Sequence, residues 1–158
     1  MGAASEEMVA VPVRRHSINE VIVAALLLGA VLLLVEVRFE HREVLGQTWV
    51  AWIPLVCAAL LAVAGAIALV LWRRGGRRVL AVLFALSFLV GALGLWFHSG
   101  GHPVREASKA LAAWKLKPGD VGKDPVGSEP PPFAPAAFCG LGLLGLIASL
   151  TPPRDRPG

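Results

Sequence analysis

The sequence lacks most of the residues and motifs on which enzymes and redox proteins depend. Only 16% of its 158 residues are charged, and there are just two cysteines. Cys57 and Cys139 each lie inside an apolar run and form no CxxC pair, which argues against a disulfide framework or a cysteine-based zinc site. The chain also has no GxSxG, Walker or glycine-rich nucleotide motif, and no strand pattern to carry one. We therefore expect no enzymatic activity.

Hydrophobic residues, by contrast, make up 56% of the chain and gather in four long runs. The runs cover residues 18–37, 50–72, 79–97 and 133–150. Each run reaches or approaches the roughly 20 residues that cross a hydrocarbon layer of about 30 Å as a helix. The sequence therefore predicts an all-α integral membrane protein whose four transmembrane helices form one bundle over residues 18–150.

The basic residues predict the orientation of this bundle. Four arginines flank the short Gly75-Gly76 turn, and the positive-inside rule has most force in short segments. We therefore expect this turn, the N-terminal tail 1–17 and the C-terminal tail 151–158 to be cytoplasmic. The composition, rich in alanine, valine and arginine, favours a high-GC bacterium, and we therefore expect the protein in a bacterial inner membrane. The net charge of +4 is explained by this topology, so we expect no nucleic-acid partner. The predicted topology residues are Arg73, Arg74, Arg77 and Arg78.

The only sizeable polar segment is the predicted outer loop, residues 98–132. In its first half, Val104, Ala107, Leu111 and Trp114 share one helical face, which predicts an amphipathic helix on the outer surface. Its second half, KPGDVGKDPVGSEPPPFAP, is dense in proline and glycine and predicts an extended strap. This composition suits either a partner-binding segment or an ordinary linker.

Small residues recur at helical spacing on three of the runs and indicate close helix packing. Small side chains let two helix backbones approach in a membrane, although the spacing leaves open whether the neighbour is in the same chain or in another subunit. The predicted packing residues are Ala58, Ala62, Ala66, Gly91, Gly140 and Gly145.

A group of histidines and glutamates is predicted at the outer side of the membrane. His41 follows the first run, whereas His98 and His102 follow the third, and Glu36 and Glu40 lie close to His41 in the sequence. Imidazole and carboxylate groups together suit zinc, copper or iron. The alternative is a set of interfacial histidines and a salt-bridged cap that bind no metal. Haem is disfavoured because no run has a histidine in its middle.

Taken together, these features predict a non-catalytic accessory or scaffold subunit of a larger bacterial membrane complex. The chain offers packing surfaces and aromatic anchors but almost no polar chemistry within the membrane, so its expected partners are lipid and other membrane subunits or a second copy. One alternative is a metal-handling protein with an outer site. A second is a small proton-coupled transporter that uses Glu36, although this residue lies at the end of its run and not near the bilayer midplane.

Overall fold

The computed structural model describes residues 17–114 and 135–152, and all the regular structure within these ranges is helical. The predicted strap, apart from Pro135, and both predicted tails, apart from residue 17 and residues 151–152, lie outside the described residues. Short 3-10 turns, Trp49–Ala51 and Trp72–Arg74, stand at either end of the second helix. The helices are α1 Ile18–Glu40, α2 Trp52–Val70, α3 Gly76–His98, α4 Pro103–Trp114 and α5 Ala136–Leu150.

Three helical segments are long and apolar enough to cross a membrane. They are α1, the segment Trp49–Val70 that contains α2, and α3. The fourth apolar helix, α5, has only 15 residues, which corresponds to about 22 Å at the helical rise of about 1.5 Å per residue. It is shorter than the predicted run at its N-terminal end, because Pro135 stands at its N-cap and the helix begins at Ala136. The fold is therefore that of a helical membrane protein with three full-length apolar helices and one shorter one.

Helices α1, α2, α3 and α5 pack around a main apolar core and a second, smaller apolar cluster. Helix α2 lies between α1 and α3, while α5 lies against both α3 and α1. The fully buried members of the main core include Val23, Leu61, Leu80 and Phe84.

Helix α5 runs antiparallel to α3. Its first residues lie beside the C-terminal part of α3, where Pro135 is next to Gly94. Its last residues lie beside the start of α3, where Thr151 accepts a hydrogen bond from Arg77. The bundle therefore has two distinct ends, which we name the arginine end, containing Arg73, Arg74, Arg77 and Arg78, and the histidine end, containing His41 and His98.

The turn between α2 and α3 requires glycine at two positions, Gly75 for its backbone angle and Gly76 because a Cβ atom there would overlap the backbone of Ala68 and Leu71. Gly75 has a φ angle of 94° and precedes α3 directly. This left-handed conformation is strained for residues that carry a Cβ atom, whereas glycine adopts it readily. The turn is consequently tight, and it places the four arginines at one end of the bundle.

Candidate functional site

The histidine end brings together two imidazole rings from different helices. His41 directly follows α1 and His98 is the last residue of α3. Their ring centroids lie 6.5 Å apart, with the ring planes at 52°. His41 Nδ1 lies 3.2 Å from the carbonyl oxygen of Val37, so in the tautomer that donates this bond Nε2 is free to accept one. His98 Nδ1 is buried and has no hydrogen-bond partner in the described part of the chain.

The five residues predicted as metal ligands are only partly assembled. Glu36 and Glu40 line the same cavity as His41 and His98. His102 lies elsewhere, at the start of α4, where its carbonyl oxygen accepts a hydrogen bond from the Glu106 amide. Within residues 17–114 and 135–152, no three histidine, cysteine, aspartate or glutamate side chains are arranged to hold a metal ion. The structure thus has a histidine pair flanked by carboxylates, without a three-ligand set.

The positions of Gly100 and Gly101 explain why His102 is separated from the pair. These glycines have φ angles of 58° and 82°, a left-handed conformation that turns the chain away from the axis of α3. A continuous helix would have placed His98 and His102 one turn apart on the same face. The turn instead directs His102 into the first residues of α4.

A cavity of about 330 Å³ opens at the histidine end. It lies between the C-terminal ends of α1 and α3, the segment that begins α2, and the start of α5. Apolar side chains form most of its wall, and the smaller polar part comes from two carboxylates, two imidazoles and a threonine. The polar residues that line it are Glu36, Glu40, His41, Thr48 and His98.

The carboxylates of this cavity have no cationic partner among the described residues. Neither Glu36 nor Glu40 forms an ion pair there, and both side chains are exposed. The neighbouring guanidinium of Arg42 lies 3.9 Å from Glu43 instead. The cavity therefore combines apolar walls with an acidic rim.

At the arginine end, Arg77 acts as a clamp on the last turn of α5. Its Nε donates to the carbonyl oxygen of Ser149 at 3.1 Å and its Nη2 to that of Thr151 at 2.8 Å. Asn19 of α1 donates to the same Thr151 oxygen at 2.9 Å. Because the last carbonyls of a helix lack partners within the helix, these donors stabilise its C-terminus. The guanidinium of Arg77 also lies 5.5 Å from the ring centroid of Trp72, within the range of a cation–π contact.

The predicted packing residues occupy different environments. Ala58 is fully buried, and Gly91 and Gly145 lie at close contacts between α3 and α5. Ala66 is exposed, and a Cβ atom added at Gly140 would meet nothing within 4 Å. Ala62 is partly buried. Ala66 and Gly140 therefore face away from the other described helices.

The closest approach between the backbones of α3 and α5 occurs at a glycine outside the predicted packing residues. A Cβ atom at Gly142 would lie 2.5 Å from the backbone nitrogen of Phe88 and 2.7 Å from the carbonyl oxygen of Phe84. The motif CGLGLLG contains three glycines. Each of them forms a close helix contact only if it lies on the side of α5 that faces α3. That side depends on the rotation of α5 against α3, which spacing alone does not determine.

A second concave surface lies between α2 and α3 and opens to the side of the bundle. This lateral groove has a volume of about 390 Å³ and an almost entirely apolar lining. Several of its side chains, such as Trp49 and Leu86, are large and exposed. Its lining includes Trp49, Trp52, Val56, Leu60, Leu86 and Val90.

Comparisons with known proteins provide no relative from which a role could be transferred. No protein-family model, curated protein or solved structure matches this chain. The features that bear on function are therefore the two ends of the bundle, its centre and the lateral groove.

Proposed function

We propose that this protein is a non-catalytic accessory or scaffold subunit of a larger complex in the inner membrane of a bacterium. The observation that carries the proposal is the uncharged centre of the bundle. No aspartate, glutamate, lysine, arginine or histidine occurs in residues 21–35, 52–70, 79–97 or 136–150. Transporters and membrane enzymes place such groups within the bilayer to handle ions and substrates. The membrane-spanning part of this chain therefore presents apolar surfaces for helix packing and no charged groups.

The proposal includes four crossings, with the arginine end in the cytoplasm and α4 with its strap on the outer side. The short helix α5 lies along α3 from the level of Gly94 to that of Arg77. That part of α3 is about 26 Å long at about 1.5 Å per residue, close to the thickness of the hydrocarbon layer. Neighbouring helices cover much of α5, so it needs less contact with lipid than a free-standing span.

The lateral groove is the proposed docking surface for a helix of a partner subunit. An apolar concave surface bordered by two helices accepts a third helix through close packing of side chains. Trp49 and Trp52 stand at one end of the groove, where indole rings are typically placed at the membrane interface. A partner helix would therefore be held along the side of α2 and α3.

Co-purification with groove variants tests this proposal. Tagged protein is isolated from native membranes in mild detergent, and retained proteins are quantified by mass spectrometry. Leu60→Trp fills the groove and should reduce a specifically retained subunit by about tenfold or more, since a blocked close contact loses many dispersion interactions. The matched control is Val63→Trp, because Val63 is exposed on the same helix outside the groove.

Equal retention of partners by both variants would contradict docking in the groove. Retention of lipid alone by the unmodified chain would contradict a role as a subunit. A second pair, Leu86→Trp in the groove and Leu89→Trp outside it, repeats the comparison from α3. The thermal unfolding of each variant shows whether the fold is retained.

The metal-handling alternative is supported by one observation, the 6.5 Å separation of the His41 and His98 rings. Two imidazoles alone hold zinc weakly, because stable sites have at least three protein ligands. Elemental analysis of the purified chain distinguishes the two functions: an accessory subunit carries no stoichiometric zinc, copper or iron, whereas a metal-handling protein does.

A further inference from the structure

We propose that the cavity at the histidine end binds a small organic cation, specifically a protonated amine carried on an apolar body. The inference goes beyond a role as an accessory subunit and does not depend on it. It rests on the charge of the cavity rim, on the nature of its walls and on its place at one end of the bundle.

The negative charge of the cavity rim favours a cationic ligand. Glu36 and Glu40 stand four residues apart in α1, on one side of the helix, where like charges repel each other. The described part of the chain supplies no ion pair to either carboxylate, and Arg42 is directed to Glu43. The two carboxylates therefore give the cavity an acidic rim. An ammonium group placed between these carboxylates removes the repulsion and forms charge-assisted hydrogen bonds.

The apolar walls of the cavity favour a ligand whose cationic group is attached to an apolar body. Phe97, Phe138 and Leu93 contribute to a surface that is mostly hydrocarbon. A volume of about 330 Å³ lies at the lower end of the range for pockets that bind small molecules. Aromatic side chains also attract a nearby ammonium group through their ring faces. An aromatic ring with a short aminoalkyl arm matches both the size and the chemistry.

The buried imidazole gives the same ligand a further contact. His98 Nδ1 is buried without a hydrogen-bond partner in residues 17–114 and 135–152. A buried polar atom without a partner is unfavourable, and His98 is one of the residues that line the cavity. An anion would instead meet two carboxylates. A metal ion would find no preassembled group of three ligands in the same part of the chain.

Calorimetric titration of the intact protein in detergent, near neutral pH, tests the inference with three compounds that share one ring. Benzylamine is cationic, benzyl alcohol is neutral and benzoate is anionic under these conditions, and titration into empty micelles corrects for partitioning. We expect benzylamine to bind with 1:1 stoichiometry and about tenfold or more tightly than benzyl alcohol, because hydrogen bonds between charged groups are the stronger ones. Benzoate should not bind measurably.

Matched variants locate the binding in the cavity. Glu36→Gln and Glu40→Gln should each weaken benzylamine binding by about tenfold. Glu43→Gln is the control, since Glu43 is exposed nearby but does not line the cavity, and it should leave the affinity unchanged. Because all three glutamates are exposed, the variants should fold, and thermal unfolding verifies that they do.

Several results would overturn the inference. Equal affinities for benzylamine and benzyl alcohol would show that charge is not recognised, and an equal loss in Glu43→Gln would show that the cation senses only the general surface charge. Stoichiometric binding of zinc that depends on His41 and His98, with no binding of benzylamine, would assign the cavity to a metal. The groove variant Leu60→Trp should bind benzylamine normally, so failure of this inference and failure of the accessory function are distinguishable.

Discussion

At the residue scale, two glycines of the same helix illustrate how differently one residue type can act. Gly142 lies against the backbone of α3 and Gly140 faces open space. Gly140 belongs to the small-residue pattern that predicts close packing in a membrane, whereas Gly142 does not. The pattern identified the helix that packs closely, but it did not identify the face, because neighbouring glycines in CGLGLLG make several faces equally small.

Gly142→Ala should destabilise the protein, whereas Gly140→Ala should not. The added methyl group at position 142 meets backbone atoms of Phe84 and Phe88, which cannot rotate away as a side chain can. We expect a loss of about 1 to 3 kcal/mol, as for other overpacked cores. Thermal or denaturant unfolding in detergent measures this difference. A Gly142→Ala variant as stable as Gly140→Ala would show that α5 does not lie against α3 as described.

At the scale of the elements, the C-terminus of α5 is held by residues from two other helices. Arg77 and Asn19 donate to carbonyl oxygens there. Sequence pattern predicted only a topology role for Arg77, since nothing in local spacing relates it to the carbonyl oxygen of Ser149, 72 residues later. Its charge and its hydrogen bonds are separable properties, which a conservative substitution can distinguish.

Arg77→Lys keeps the positive charge but loses the two-pronged clamp. Lysine presents a single ammonium group in place of the planar guanidinium, so it cannot hold both carbonyl oxygens in the same geometry. We expect a loss of about 1 to 2 kcal/mol in the free energy of unfolding and faster hydrogen exchange in the last turn of α5. Arg78→Lys is the control, because the Arg78 side chain is exposed and donates no hydrogen bond to another described residue. Identical behaviour of the two variants would exclude the clamp.

Helix α4 carries the clearest electrostatic interaction outside the apolar helices. Lys109 Nζ donates to Glu106 Oε1 at 2.7 Å, and this hydrogen bond holds the pKa of the Glu106 carboxyl below its ordinary value. A carboxyl whose pKa is lower in the folded state stabilises that state above its unfolded pKa, and the stabilisation is lost as the pH falls through the folded pKa.

We therefore expect helix α4 to loosen in acid and Lys109→Gln to remove this dependence. Carboxyl carbon NMR of Glu106 should show titration below the usual range for glutamate in the original protein and a return toward that range in Lys109→Gln. Lys109→Arg should keep most of the shift because it retains a charged donor. No change in the titration of Glu106 on removal of Lys109 would contradict the assignment.

Sequence pattern predicted the helices better than it predicted their faces. The lengths and hydropathy of the first three runs indicated α1, α2 and α3, because a helix that crosses lipid must be long and apolar throughout its length. The same uniform hydropathy conceals which side of each helix is buried. Ala66 was accordingly placed in a packing stripe, whereas the buried side of α2 passes through Leu61, Gly65 and Ala68.

The candidate site was predictable only in its broad position. Topology places the residues after α1 and α3 at the same end of a bundle, which is why His41 and His98 were expected near each other. The turn at Gly100 and Gly101, which separates His102, depends on backbone angles that glycine permits but does not require. The cavity itself arises from the packing of four chain segments, and no short stretch of sequence encodes it.

At the scale of the whole molecule, the central claim is that all four apolar helices cross the membrane with the arginine end inside. Gly46 lies between α1 and α2, and Pro152 follows α5. Between these positions the chain passes through α2, α3 and α5. The two positions are therefore on opposite sides of the membrane if α5 crosses and on the same side if it does not.

Labelling of single cysteines in intact cells tests this claim most directly. Gly46→Cys and Pro152→Cys are introduced separately into a chain in which Cys57 and Cys139 are replaced by alanine; both positions are exposed, and a Cβ atom at Gly46 meets nothing within 4 Å. With a membrane-impermeant thiol reagent, the Gly46→Cys variant should react in intact cells and the Pro152→Cys variant only after the membrane is permeabilised. Reaction of both variants in intact cells, or the reverse pattern, would contradict the proposed four-crossing orientation.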